Sequence, residues 1–352
     1  MGPKRIDENS LTVIVIDVSP VAWGERDLKR AASDKARLAA GKRSVGPATL
    51  DELLSAVQAF ASAFVSLERD SALIMVAVAG SEVAVVYPRK DDLETYFSNP
   101  ETKLDTRQIQ FDLVSGVVDL VTRAAKKASD PNVGIDTSLA AMASAFSVAL
   151  CLINRFLVSA NSGVSALQTD GGWRRANADD EGVLTAIGTE SGKKKSNKRA
   201  RAWSPRVLLI QSSDDRAADY NSMMNCSFAA VKHNIVVDGC FIPSMGGTKS
   251  SAFLEQTCDL TGGVFLAPSG AAQANKALTE VLLAVFLPSR SSRGGLNLPA
   301  INKVDFRARS FDTGESVDTA FVCNQCLSIF KQKPQGHCPT CDAEIRQRKR
   351  LA

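Results

Sequence analysis

Two histidines, His233 and His337, are all that this 352-residue chain contains, so general-base chemistry by histidine has almost nothing to work with. No G-x-S-x-G or H-E-x-x-H motif is present, which removes the usual frames for a serine nucleophile or a catalytic zinc. No apolar run reaches roughly 18 residues, the length that a membrane-spanning helix needs. The opening MGPKRIDENS lacks the apolar core of a secretory signal. A reducing compartment is therefore expected, with the eight cysteines as free thiols or metal ligands. Charge of one sign is also missing: 42 basic residues against 38 acidic ones leave +4, so bulk charge argues neither for nor against nucleic acid.

What is present is organised around Leu11 to Gly24, LTVIVIDVSPVAWG. A β-branched apolar run ending at Asp17 and Ser19 reads as a strand buried on both faces of a parallel sheet, with polar groups at its carboxyl end. In open α/β sheets that edge is where ligands sit. Thr49 to Glu68 reads as an amphipathic helix opened by a Thr49/Glu52 capping box. Ala72 to Ala79 and Glu82 to Tyr87 read as a hairpin turning at Gly80-Ser81, one arm of it an antiparallel edge on an otherwise parallel sheet. Helices are expected over Phe111 to Lys127 and Asp136 to Val158. The α/β rhythm then resumes: strand Arg206 to Gln211, helix Ala218 to Lys232, strand Ile235 to Ile242, helix Ser251 to Leu260, strand Val264 to Ala267 and helix Ala271 to Phe286.

This gives a Rossmann-like α/β domain over 11–287, preceded by a tail at 1–10 and interrupted by insertions at 25–47 and 161–204. The first insertion is polar and without a sustained apolar stripe, so it reads as a loop with at most one short helix. SRSSRGGLNLP makes 288–300 a linker by composition. Residues 301–345 form a small cysteine-built module, and 346–352 a basic tail.

Cys323, Cys326, Cys338 and Cys341 carry the strongest chemical signal, spaced C-x2-C-x11-C-x2-C. Two such knuckles let four thiolates converge on one zinc, and a segment with almost no core needs that staple. The alternatives are two disulfides or unconnected thiols. Four cysteines close the shell, so the zinc would be structural, with His337 a bystander. Asp17 and Ser19 match the start of the D-x-S-x-S ligand set of a von Willebrand A magnesium site, but Val21 stands where the second serine belongs. Further oxygens are expected from Asp136, Thr137 or Ser138 and from Asp214 or Asp215, displaced beyond the strand end. Two ligands of about five are lost, so the divalent site is read as degenerate and magnesium is not expected. Trp23 is either a lid on the carboxyl edge of the sheet or an exposed anchor for a partner. Lys193, Lys194, Lys195, Lys198, Arg199 and Arg201 put six positive charges into nine residues, which reads as a nuclear-localisation signal, a phosphate contact or a solvated loop. Cys151, Cys226, Cys240 and Cys258 sit singly in apolar elements as small hydrophobes, and GGTKS at 246–250 lacks phosphate-loop spacing.

Taken together, VIVIDVSPVAWG (13–24), SLAAMASAFSVALCLINR (138–155), LEQTCDLTGGVFL (254–266), FLP (286–288), VDFRARSF (304–311), VCNQCLSIF (322–330) and CPTC (338–341) make the chain resemble the small von Willebrand A subunits of transcription and DNA-repair factor TFIIH, the p34/Tfb4 family. The resemblance implies a von Willebrand A-type open, mostly parallel sheet with helices on both faces, followed by a C4 zinc module. It implies a non-enzymatic nuclear core subunit that binds a second, larger von Willebrand A-type subunit through that subunit's zinc-binding domain. It implies support of promoter opening in RNA polymerase II transcription and of nucleotide excision repair, with at most indirect nucleic-acid contact, no membrane and no small-molecule substrate. A RING-like ubiquitin ligase, a magnesium-dependent ligand-binding module and direct DNA binding through the basic loop are the competing readings. A RING needs eight ligands where four are clustered here.

Overall fold

The computed structural model describes residues 9–39, 48–67, 71–98, 105–128, 139–162, 203–243, 250–268, 276–299, 307–311 and 316–345. The elements are β1 (Asn9–Asp17), α1 (Pro20–Ala39), α2 (Leu50–Leu67), β2 (Ser71–Ala79), β3 (Glu82–Tyr87), α3 (Leu93–Ser98), α4 (Thr106–Ala128) and α5 (Met142–Ser162). They continue with β4 (Trp203–Gln211), α6 (Tyr220–Lys232), β5 (Val236–Phe241), α7 (Ala252–Thr261), β6 (Phe265–Leu266), α8 (Lys276–Val281) and α9 (Arg290–Arg293). Four two-residue strands, β7 (Ala308–Arg309), β8 (Ser316–Val317), β9 (Phe321–Val322) and β10 (Ile329–Phe330), pair as two antiparallel ribbons.

β1 to β6 form one sheet in the order β3-β2-β1-β4-β5-β6. β1 lies at its centre, parallel to β2 on one side and β4 on the other. β3 is the antiparallel edge, as the Gly80-Ser81 turn predicts. Where β3 has ended, the Tyr96 hydroxyl from α3 takes over: it accepts from the Leu73 amide at 2.9 Å and donates to the Leu73 carbonyl at 3.1 Å.

Because β1 is buried on both faces, its side chains divide by parity. Leu11, Val13 and Val15 pack under α3, α5, α6 and α7. Ile14 and Ile16 pack under α2, α4 and α8. The result is three layers, helix over sheet over helix. Thr49 and Glu52 close the capping box at 3.0 and 3.2 Å. At the other end of the domain Gly262 takes φ +70° to stop α7, and a Cβ on Gly263 would fall 1.9 Å from the Val237 carbonyl oxygen. That pair of glycines is what allows α7 to turn tightly onto β5.

Three expectations are corrected. The polar stretch after Gly24 is not a loop but the body of α1, which runs to Ala39. Its inward stripe is Trp23, Arg26 and Arg30, and arginines at core-facing positions hide an amphipathic pattern from any reading that counts apolar residues. Helix α5 starts at Met142 instead of Asp136; of the helix expected over 271–286, residues 271–275 lie outside the described residues, and α8 is described from Lys276, passing into a π-helical turn over Leu282–Phe286. The stretch read as a linker carries α9, which is tied to the sheet: Arg293 forms a two-pronged pair with buried Asp238 of β5 at 2.7 and 2.5 Å.

Candidate functional site

At the carboxyl edge of the sheet, Asp17 is fully buried. Its Oδ2 accepts from the Ser212 amide (3.1 Å) and hydroxyl (3.1 Å), and from the Ser213 amide (2.7 Å) and hydroxyl (2.6 Å). Its Oδ1 accepts from the Ser19 amide at 3.0 Å. Ser19 itself turns away, its hydroxyl accepting from the Gly80 amide at 3.2 Å. Ser213 also accepts from the Ala140 amide at 3.3 Å, so the turn into α5 closes over the same point. Strand β4 thus ends in hydroxyl donors where a metal site would present a carboxylate. Donors from Ser19, Ser212 and Ser213 satisfy Asp17.

A fixed positive charge stands beside this carboxylate. Arg26 of α1 is fully buried and donates to the carbonyl oxygens of Ser212 (3.0 Å), Pro243 (3.4 Å) and Ile242. Its guanidinium also lies over the Trp23 ring at 4.9 Å. Burial pulls the Arg26 pKa down to about 10 against the opposing pull of Asp17 and Asp214. The carbonyl ends of β4 and β5 are therefore capped by an internal cation.

The candidate residues separate as follows. Asp17 and Ser19 both stand at the carboxyl end of β1, joined by the Ser19 amide, but the Ser19 hydroxyl is directed to Gly80 and not to the Asp17 carboxylate. Asp214 is exposed and makes no part of the Asp17 hydrogen-bond set, whereas Asp215 accepts from Gln211, Ser251 and the Phe253 amide at the start of α7. Asp136 and Ser138 lie outside the described residues, as do Lys193, Lys194, Lys195, Lys198, Arg199 and Arg201. Trp23 is only 2 % exposed and donates its indole N–H to the Asp17 carbonyl at 2.9 Å, so it is a core residue of the carboxyl edge and not a surface anchor. Sequence reasoning missed Arg26, Ser212 and Ser213. The serine pair directly after β4 was the available signal; nothing in the local pattern marks Arg26.

The second site is the cysteine module. The Sγ atoms of Cys323, Cys326, Cys338 and Cys341 all lie within 4.8 Å of one another. Cys323 and Cys341 are 3.8 Å apart, Cys326 and Cys338 3.6 Å. These separations are far beyond a disulfide, roughly 2.05 Å. They match the edge of a tetrahedron with metal–sulfur bonds of about 2.3 Å, which is close to 3.8 Å.

The two knuckles repeat one backbone design. The amides of Leu327 and Asp342 return to the carbonyls of Cys323 and Cys338 at 3.0 and 2.9 Å. Both residues take positive φ, 59° and 58°. The Ser328 hydroxyl lies 3.1 Å from Cys326 Sγ, and this contact first of all draws the thiol pKa down to about 6. His337 is not a member of the cluster. The geometry fits one four-coordinate ion with no open position.

An open sheet of this order, an acidic residue ending its central strand and a four-cysteine module behind it define a von Willebrand A-like α/β protein with a C-terminal cysteine cluster that could hold zinc. The chain belongs to the Transcription factor Tfb4 family, whose family model matches residues 9–342. It is 38% identical over 144 residues to "General transcription factor IIH subunit 3" of Dictyostelium discoideum, covering 40% of this chain and 36% of that protein. It is 39% identical over 140 residues to "General transcription and DNA repair factor IIH subunit tfb4" of Schizosaccharomyces pombe, covering 40% of this chain and 44% of that protein. The matched stretch thus spans about two-fifths of the length of these curated relatives. The solved structure "Crystal Structure of the TFIIH p34 N-terminal Domain" superposes with a TM-score of 0.50 at 22% identity, over 79% of this chain and 98% of that one, which establishes the shared fold.

Proposed function

We propose that this protein is a non-catalytic structural subunit of the general transcription and DNA-repair factor IIH core, working in the nucleus. In this reading its von Willebrand A-like domain, residues 11–287, binds another core subunit, a second von Willebrand A-type zinc-binding protein. The subunit thereby supports RNA polymerase II transcription initiation and nucleotide excision repair. Residues 301–345 form a separate module held by one structural zinc on Cys323, Cys326, Cys338 and Cys341. The Asp17 site holds no divalent ion, and the Lys193–Arg201 tract is a nuclear address.

The observation that carries the reading is that one family match runs through both the α/β domain and the cysteine module. Two features of the chemistry are in keeping with it. The polar residues at the carboxyl edge of the sheet are spent on each other, and the cysteine shell is closed. Neither leaves a group poised to act on a substrate.

The test is recovery of partners from nuclear extract by the tagged full chain in moderate salt, identified by mass spectrometry. Recovery of the IIH core subunits in fixed ratio is expected. Recovery of ubiquitin-conjugating enzymes, or of nucleic acid alone, would overturn the reading.

A further inference from the structure

The two cysteine knuckles share a backbone but differ in one side chain that touches a ligand sulfur. In each, the carbonyl five places after the first cysteine accepts from that cysteine's amide: Ser328 from Cys323 at 2.9 Å, Ala343 from Cys338 at 2.8 Å. In each, the amide of the same residue donates to the sulfur two places before it, Cys326 or Cys341. Ser328 and Ala343 are therefore counterparts, and one hydroxyl is the difference between them. Ser328 is 1% exposed, and its hydroxyl lies 3.1 Å from Cys326 Sγ. A thiolate that binds metal can only accept, so in the loaded module the Ser328 O–H donates.

Hydrogen bonds from outside the ligand shell fix the orientation of a metal's ligands, and those made to a charged sulfur are the strong ones. Cys326 receives an amide and a hydroxyl from a residue that is itself tied to Cys323. Cys341 receives the Ala343 amide and has a methyl group where the hydroxyl would stand. Exposure divides the ligands in the same way: Cys323 and Cys338 are buried, Cys326 is half-buried, and Cys341 is the exposed member of the four. Attack on a cysteine needs thiolate character and access. Cys341 has the lighter hydrogen bonding of the two counterparts and the readier access.

We propose that Ser328 is a positioning residue that makes the metal site asymmetric: its hydroxyl fixes Cys326 as an anchored ligand, and Cys341 is left as the releasable one, the point at which a soft electrophile enters. This rests on the reading of residues 301–345 as a module held by one zinc. In that attack the Cys341 sulfur bonds to the electrophilic carbon, the bond from that carbon to its leaving group breaks, and the leaving group departs with the electron pair. The thioether so formed no longer supplies a thiolate to the shell.

The test uses the full chain loaded with zinc, limiting iodoacetamide, and mass spectrometry of the four ligand cysteines, with Ser328→Ala and Ala343→Ser alongside the wild type. In the wild type, Cys341 should be carbamidomethylated several-fold faster than Cys323, Cys326 or Cys338, with iodide as the leaving group. Ser328→Ala should weaken zinc binding about tenfold, read by competition with a chelating dye, and should bring the alkylation of Cys326 toward the rate of Cys341. With cobalt(II) in place of zinc, the sulfur-to-metal charge-transfer band of Ser328→Ala should move to longer wavelength, because a sulfur without its donor gives up charge more easily. A purely packing role for Ser328 would leave that band where it is. Ala343→Ser should act in the opposite sense, slowing alkylation of Cys341 and moving the band to shorter wavelength, and it decides the matter if Ser328→Ala does not fold. First alkylation at another ligand, or variants that match the wild type in band and alkylation order, would overturn the inference and leave the zinc module intact. A wild-type chain without zinc, its four thiols reacting like free cysteine, would overturn the zinc reading and this inference with it.

Discussion

Arg293 reaches back from a short helix beyond the last helix of the domain to grip Asp238 in the middle of β5, with guanidinium–carboxylate distances of 2.7 and 2.5 Å and both groups nearly buried. Asp238 also accepts from the Val264 amide at 2.8 Å. The same corner is held by Arg206 of β4, which donates to the carbonyls of Phe286, Leu287 and Pro288 at the end of the π-helical turn after α8. Two arginines therefore bind the FLP segment and the residues after it to the sheet.

Removing one member of the Arg293–Asp238 pair leaves a buried charge without its counter-ion, so Arg293→Ala should destabilise the domain by about 3–5 kcal/mol. Replacing both members with apolar residues of similar volume should cost less than the single change. Thermal unfolding of the two single variants and the double variant checks this; additive effects would show that the two residues do not act as a pair.

Asp17→Ala should strand the amide and hydroxyl donors of Ser212 and Ser213 and leave Arg26 without its nearby carboxylate. A loss of about 3 kcal/mol or more is expected, a drop in Tm of roughly 6–12 °C for a domain of this size. Millimolar magnesium should leave the wild-type Tm unmoved, since only a ligand that binds the folded form raises it. A magnesium-dependent rise that Asp17→Ala abolishes would show that the site takes an ion after all.

For the cysteine module, the full chain should contain one zinc per molecule by elemental analysis, and Cys326→Ser should lose it. The helical far-UV signal should persist in that variant, because α1 to α9 all precede residue 294. Collapse of the helical signal together with the zinc would show that the module and the α/β domain fold as one unit. Two zincs per chain would favour a RING-like module.

Burial raises the Tyr87 pKa to about 12 and drives that of Tyr96 higher still. A phenol whose folded pKa lies above its unfolded value near 10 stabilises the fold fully below that pH. Its contribution is lost as pH rises through the folded value, because the unfolded chain releases the proton first. Stability should therefore fall steadily from pH about 10 upward. Phenolate absorbance of these two residues should appear only with unfolding, and Tyr96→Phe should flatten the slope. Early ionisation in the folded state would contradict the burial seen here.

Gly263→Ala has no room for its methyl group, which would meet the Val237 carbonyl oxygen. A destabilisation of about 1–3 kcal/mol is expected from the forced backbone shift, measured by urea unfolding. Gly24, with nothing near its would-be Cβ, is the control that should tolerate alanine.

The sequence was most legible where one physical rule decides the answer. The β-branched run at Leu11, the capping box at Thr49 and the C-x2-C pairs are local patterns whose energetics involve neighbours in the chain. It was least legible at α1, where inward-facing Arg26 and Arg30 break the apolar stripe, and at Trp23, where an aromatic on a helix can face either way. Asp214 was chosen as the acidic residue next after β4, yet Ser212 and Ser213 are the residues that the strand's register delivers to Asp17. The 288–300 stretch has a linker's composition, but composition cannot show that Arg293 has a buried carboxylate waiting 55 positions upstream.

By itself, the sequence determined the alternation of strand and helix, the central place of β1, the antiparallel edge and the convergence of four cysteines, because periodicity and short spacings encode these directly. Tertiary structure alone decided that Arg26 and two serines take over the carboxyl edge of the sheet and that Trp23 is buried. Each of those depends on which residues distant in the chain arrive at the same point, and on how much solvent their packing excludes.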